Sequence, residues 1–336
     1  NHFERSGANL FGNVFLNEKT FIDFVEDLIA QFERYGMAKN ASVRKEAWKA
    51  ALHEVIDNNG VTSLYNMGLI RFDIQGDHII GNKKFNLSQE EMHEICALFA
   101  DWMMSEGTVS YPEAMNRDER SFFAHNGIEH EYTLSDANPQ SCTLSFMPSR
   151  ADLSNKRLAY LEKVLKKKGT LPDQGVSGLL EAIWKRFFAC EKENAILVGK
   201  NGTYRIQSEK ILVSRPGQLY RCKKCHRITP HNVENICPAY RCDGELEAFD
   251  PGTALADNHY YQLYRQMEIR PLRVVEHTAQ LDKETAYEYQ QQFKRKELDI
   301  LSCSTTFEMG VDVGSLETVF MRNVPPSPAN YAQRAG

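Results

Sequence analysis

No apolar run in the 336-residue sequence approaches the roughly 20 residues that a membrane-spanning helix needs, which argues against a bilayer protein. The first residues, Asn1-His-Phe-Glu-Arg, lack the apolar stretch of a secretory signal. A phosphate-cradling run of the form Gly-x-x-x-x-Gly-Lys followed by Ser or Thr does not occur. Val198-Gly-Lys-Asn-Gly202 has the wrong spacing and falls in a predicted hairpin. An Asp-Glu-x-Asp/His box is missing too: Asp118-Glu-Arg lies in a polar stretch with no apolar strand before it. These gaps exclude a self-sufficient nucleotide hydrolase of the usual kind. Positive charge is not in excess either. The formal net charge is −5, so any nucleic-acid surface must be local. The sequence starts without Met and stops inside a motif, and it reads as a piece of a longer protein.

Cysteine is sparse outside one cluster. Cys96, Cys142, Cys190 and Cys303 are scattered among apolar neighbours and read as small buried hydrophobes. Cys222, Cys225, Cys237 and Cys242 instead fall within 21 residues. Cys-x-x-Cys brings two thiolates to one ion from a single tight turn, and a second pair completes the tetrahedron that Zn2+ prefers. The second pair is looser, with four residues between its members, so His226 or His231 stands as an alternative to one thiolate. Four protein ligands leave no open position for water, which makes the ion structural. Such a cluster without a secretory signal points to a reducing cytoplasm. Gln218-Leu-Tyr-Arg221 leads into the first turn and Gly244 to Phe249 leaves the second as a strand, so residues 218–249 read as a zinc ribbon. Its basic turn, Arg221, Lys223, Lys224 and Arg227, suits DNA contact and a solvated surface equally. Loss of the ion is expected to loosen 218–249 and leave 1–150 folded.

The remainder gives a multidomain α+β chain. Residues 1–150 read as a mainly helical accessory region. Phe21, Phe24, Leu28, Phe32 and Tyr35 recur at helical spacing before Gly36. Ser42 is a candidate cap for a helix carrying Val43, Trp48, Leu52, Val55 and Ile56, closed by Gly60. Ser88-Gln-Glu-Glu91 is a capping box opening a helix with Met92, Ile95, Phe99 and Met103 on one face. His93, His125 and His130 sit at no ligand spacing. Residues 151–217 carry two helices, over 155–168 and about Leu179 to Phe188, and then two short strands around Lys200-Asn-Gly202. Helix, helix, hairpin is the order of a winged helix. From 250 to 336 the pattern alternates: helix at 254–268, strand at 272–275, helix from Leu281 to Phe293 with Asp282 near its start, and strands at 300–303 and 318–321. Alternation of this kind predicts a parallel sheet with ligands at the carboxyl ends of its strands.

The polar residues at those ends carry a family likeness. Ser302-Cys-Ser-Thr-Thr-Phe-Glu-Met-Gly-Val-Asp-Val-Gly314 and Asn330-Tyr-Ala-Gln-Arg-Ala-Gly336 resemble motifs V and VI of superfamily-two helicases. With Glu276-His-Thr-Ala-Gln280 upstream, the string is most similar to large bacterial DEAD/DEAH-type helicases with a cysteine-rich domain, some of them in anti-phage defence systems. The resemblance covers about the last quarter of the chain and implies a partial α/β RecA-like domain, the second of two. It places His277, Thr278, Ser304, Thr305 and Thr306 against nucleic acid, DNA in the first place. It places Gly310, Asp312, Gln333 and Arg334 along the ATP cleft. It implies ATP and Mg2+ in the full-length protein, a first RecA-like domain elsewhere in that protein, and defence- or repair-system partner proteins. The strand bearing motif IV has no clear match; Ile211-Leu-Val213 is the candidate. A non-enzymatic zinc-ribbon and winged-helix adaptor for nucleic acid or protein is the competing class.

Overall fold

A computed structural model describes residues 18–34, 41–56, 60, 62–111, 130–135, 142–148, 153–190, 194–266, 272–278, 280–303 and 318–320. Strand β1 (Lys19–Thr20) runs into helix α1 (Phe21–Arg34), and α2 (Ala41–Ile56) follows. Phe21, Phe24 and Leu28 of α1 are buried against Trp48, Leu52 and Val55 of α2, with the rings of Phe21 and Trp48 edge-on at 5.6 Å. Helix α2 already runs at Ser42, so Ser42 is not its cap; residues 57–59, between Ile56 and Gly60, lie outside the described residues. The Phe32 side chain, Tyr35, Gly36 and His125 lie outside the described residues.

Strand β2 (Arg71–Ile74) leads to α3 (Gln89–Met104), which opens as the sequence requires. Ser88 Oγ accepts from the Glu91 amide while the Glu91 carboxylate accepts from the Ser88 amide, closing the capping box. Met92, Ile95, Phe99 and Met103 are buried. Short strands β3 (Glu131–Thr133) and β4 (Thr143–Ser145) precede α4 (Lys156–Lys167), capped by the Asn155 side chain. Helix α5 (Ser177–Ile183) continues as a π-helical turn over Trp184–Phe188.

The hairpin of β5 (Leu197–Lys200) and β6 (Thr203–Ile206) turns on Asn201 and Gly202, both at positive φ as a two-residue type I′ turn demands. The hairpin does not stand alone. β6 pairs with β3, giving a four-stranded sheet in the order β4-β3-β6-β5. Strand β7 (Ile211–Ser214) lies between β1 and β2, antiparallel to both. That placement corrects its candidacy for motif IV, because a motor strand must join the parallel sheet.

Strands β8 (Leu219–Cys222), β9 (Ile228–Thr229) and β10 (Leu246–Phe249) form an antiparallel sheet in the order β10-β8-β9. Helices α6 (Pro251–Ala254) and α7 (His259–Gln266) come next, and Tyr261 and Tyr264 of α7 join the main core. Then β11 (Val274–His277), α8 (Lys283–Lys294) and β12 (Ile300–Cys303) form a βαβ unit. β11 and β12 are parallel and in register from Val274 opposite Ile300 to His277 opposite Cys303. Strand β11 starts two residues later than its apolar run suggests. The Arg273 amide is engaged by the Asp299 carboxylate at 2.9 Å, and the ladder begins beyond it. Residues 318–320 join no ladder, so the strand expected at 318–321 is not formed there.

The chain divides into two compact units, Asn1–Ile269 and Arg270–Gly336. Among the described residues no helix is long and apolar enough to cross a membrane.

Candidate metal centre and strand-end site

β8 delivers Cys222 and Cys225 on one tight turn, and the turn before β10 delivers Cys237 and Cys242. All four sulfurs lie within 4.8 Å of one another. Cys222 Sγ is 3.7 Å from Cys242 Sγ, and Cys225 Sγ is 3.5 Å from Cys237 Sγ. A tetrahedral ion held at about 2.3 Å by four thiolates has sulfur–sulfur edges of about 3.8 Å, close to the two shorter pairs, so the four could close on such an ion with small shifts.

Backbone amides complete the setting. Lys224 N and Cys225 N donate to Cys222 Sγ, and Gly244 N donates to Cys242 Sγ, each at 3.4 Å. Burial raises the Cys222 thiol, but the Cys225 and Lys224 amides, with hydrogen bonds to the Cys237 and Cys225 thiols, bring it down to about 7, whereas burial raises Cys225 and Cys237.

Neither histidine alternative is part of the cluster. His226 is exposed on the turn. His231, only 1% exposed, points the other way, with Nδ1 3.0 Å from the Glu94 carboxylate of α3. Sequence spacing did not reveal the network it joins. Glu94 pairs with Arg71 at 2.8 Å, Arg71 pairs with Asp73 at 2.8 Å, and His93 Nε2 is 2.8 Å from the other Asp73 oxygen. Burial raises the Asp73 carboxyl, but the His93 hydrogen bond and the Arg71 guanidinium prevail and hold it at about 2. The bond to Asp73 raises His93 in turn. The participants are separated by up to 160 residues, which is why no local pattern marks them.

At the second site, parallel pairing brings the carboxyl ends of β11 and β12 side by side. His277 ends β11, with its Nε2 3.2 Å from the Gln290 amide of α8, and Thr278 follows it. Cys303 ends β12 opposite His277. Ser304, Thr305, Thr306, Gly310, Asp312, Gln333 and Arg334 lie outside the described residues.

Residues 247–336 match the helicase conserved C-terminal domain. Residues 247–336 are thus of the superfamily-two helicase type. The chain is 47% identical over 166 residues to "Druantia protein DruE" of Escherichia coli (strain UMEA 4076-1), covering 42% of the chain and 9% of that protein. It is 23% identical over 229 residues to "ATP-dependent helicase Lhr-Core" of Sulfolobus acidocaldarius, covering 59% of the chain and 26% of that protein. The chain thus spans a small part of the length of either relative. No solved structure matches it.

Proposed function

We propose that this chain is part of an ATP-dependent DNA helicase or translocase of the bacterial cytoplasm, acting in DNA repair or anti-phage defence. The match of residues 247–336 to the helicase C-terminal domain carries the reading, and the parallel βαβ unit at its centre supports it. In this reading Ser304, Thr305 and Thr306, beside His277 and Thr278, grip strand phosphates, for which hydroxyls and amides suffice because no base is read. Gly310, Asp312, Gln333 and Arg334 face bound ATP and Mg2+, whose phosphate cradle another RecA-like lobe of the full-length protein supplies. Phosphoryl transfer there depends on positioning and charge stabilisation from both lobes. The four cysteines hold a structural Zn2+, and residues 151–217 act as a winged-helix-like module beside the strand.

The test is mutagenesis in the full-length protein. Ser304→Ala with Thr305→Ala should weaken DNA binding alike across sequences, by about two or more powers of ten. Each hydrogen bond to a charged phosphate is worth roughly 1.5–3 kcal/mol. Asp312→Ala should depress ATP turnover and leave nucleotide-free DNA binding nearly intact. Unchanged DNA affinity in a destabilised double variant would remove the two hydroxyls from the strand site and leave them as turn caps.

A further inference from the structure

A cleft of about 920 Å³ opens between the π-helical turn after α5, the end of β3 and the β5–β6 hairpin, away from the strand-end residues at His277 and Ser304 in sequence. Its size lies within the range of pockets that enclose small organic ligands. The wall includes Thr133, Ser135, Trp184, Lys185, Arg186 and Tyr204, and its described lining holds no carboxylate.

The π turn determines what the cleft presents. Trp184, Phe187 and Phe188 are buried, while the consecutive Lys185 and Arg186 are both exposed. His78 Nε2 holds the turn in place, 2.9 Å from the Phe187 carbonyl. π-Helical turns inside α-helices recur at functional sites because the extra residue re-aims side chains. Arg186 makes no ion pair among the described residues. Lys185 meets Glu181 one turn back at 2.7 Å, an exposed pair that is weakly held and readily exchanged for a stronger anion.

Two further observations narrow the ligand. Thr133 Oγ1 is buried with no hydrogen-bond partner, an orphan hydroxyl in the wall. Tyr204 is half-buried, its ring edge-on to Trp184 at 5.6 Å, which fixes an aromatic surface beside the two cations.

We propose that this cleft binds a nucleotide unit, with its phosphate between Lys185 and Arg186, its base against Tyr204, and Thr133 donating to a ligand oxygen. Two exposed cations, one of them held only by its exposed pair with Glu181, select an anion, and a fixed ring beside them selects one that carries a flat, stackable group. The same chemistry is offered by a free mononucleotide and by a single strand. The proposal gives the winged-helix-like module of the motor reading a ligand site of its own, made of residues other than the strand contacts at 277–278 and 304–306.

The experiment titrates the full chain with a labelled single-stranded oligothymidylate by fluorescence anisotropy and with AMP by calorimetry. Wild type, Lys185→Glu with Arg186→Glu, and Thr133→Val are compared. If strands are the source, the charge-reversed variant should lose about tenfold or more in oligonucleotide affinity, the size of one lost charge-assisted hydrogen bond, with a shallower salt dependence. If mononucleotides are the source, AMP should bind wild type and not the charge-reversed variant. Thr133→Val should keep or raise the melting temperature while weakening whichever ligand binds, a combination that a merely structural hydroxyl would not give. Failure of wild type to bind either probe, or equal binding by the charge-reversed variant at unchanged melting temperature, would overturn the proposal. Loss of strand affinity in Ser304→Ala/Thr305→Ala with none in the charge-reversed variant would remove the cleft and keep the motor reading; the opposite pattern would keep the cleft and remove the motor's strand contacts.

Discussion

At Gly244 one added carbon would land 2.5 Å from Cys222 Sγ and 2.7 Å from Lys224 Cβ, inside the turn that carries the thiolates. Neither neighbour can readily retreat, because one is a proposed zinc ligand and the other is rooted on the facing backbone. Gly244→Ala should therefore purify with well under one equivalent of zinc and melt at lower temperature, as elemental analysis and calorimetry would show. Full metal content would mean that the second turn relaxes. Asp73 and His93 set a pH dependence of opposite sign at the two ends. Asp73 is held at about 2 in the fold, so its contribution is present above the ordinary aspartate value of about 3.9 and is lost as the pH falls to about 2. It is on the order of 2 kcal/mol. His93 is raised, so its contribution is complete below the ordinary value of about 6.5 and is lost as the pH rises through the raised value. Urea unfolding should thus show this pair contributing most between about pH 4 and 6.5. His93→Gln should flatten the alkaline side of that profile; an unaltered alkaline limb would assign the decline to other groups.

Elements that look separate in sequence share interior. Val233 and Ile236, between the two cysteine pairs, belong to the same core as α3 and α4. Lys163 of α4 donates to the Cys242 carbonyl at 2.6 Å, and Lys168 bridges Glu234 and Glu91 at 3.1 and 2.6 Å. At Gly68, which adopts φ +66°, a side chain would collide with Leu219 at 2.5 Å, so the ribbon's first strand is packed flush against the body. The expectation that metal loss would loosen only 218–249 overlooks these ties. Chelation should instead lower the melting temperature of the whole first unit in one cooperative step, followed by near-ultraviolet circular dichroism of the tryptophans. Two resolved transitions would show the ribbon melting alone. His231→Ala should cost roughly 1–3 kcal/mol, because it strips Glu94 of a buried partner while leaving all four thiolates in place. Zinc content should remain at one equivalent.

For the whole molecule the informative fact is that a phosphate-cradling loop is missing from these 336 residues. Purified as such, the chain should show no ATP turnover above background with or without DNA, since neither the cradle nor an Asp-Glu box for Mg2+ is encoded in it. Turnover stimulated by DNA would place the catalytic residues somewhere no motif indicates.

What the sequence determined by itself was local chemistry: the capping box at Ser88, the Asn201-Gly202 turn, the cysteine spacing, the helix after Asp282 and the helicase-like string after β12. Each depends on residues a few positions apart, where steric preference and ligand reach act within one turn or one strand. The tertiary structure decided which sheet takes each strand, as with β7 between β1 and β2 and the hairpin beside β3. It also decided that His231 serves Glu94 rather than the cysteine cluster, and that Lys185 and Arg186 border a cleft with an orphan hydroxyl. Those outcomes turn on long-range pairing. A strand's apolar pattern specifies the face it buries but not its neighbour, and a lone histidine or threonine carries no mark of the group that folding will bring beside it.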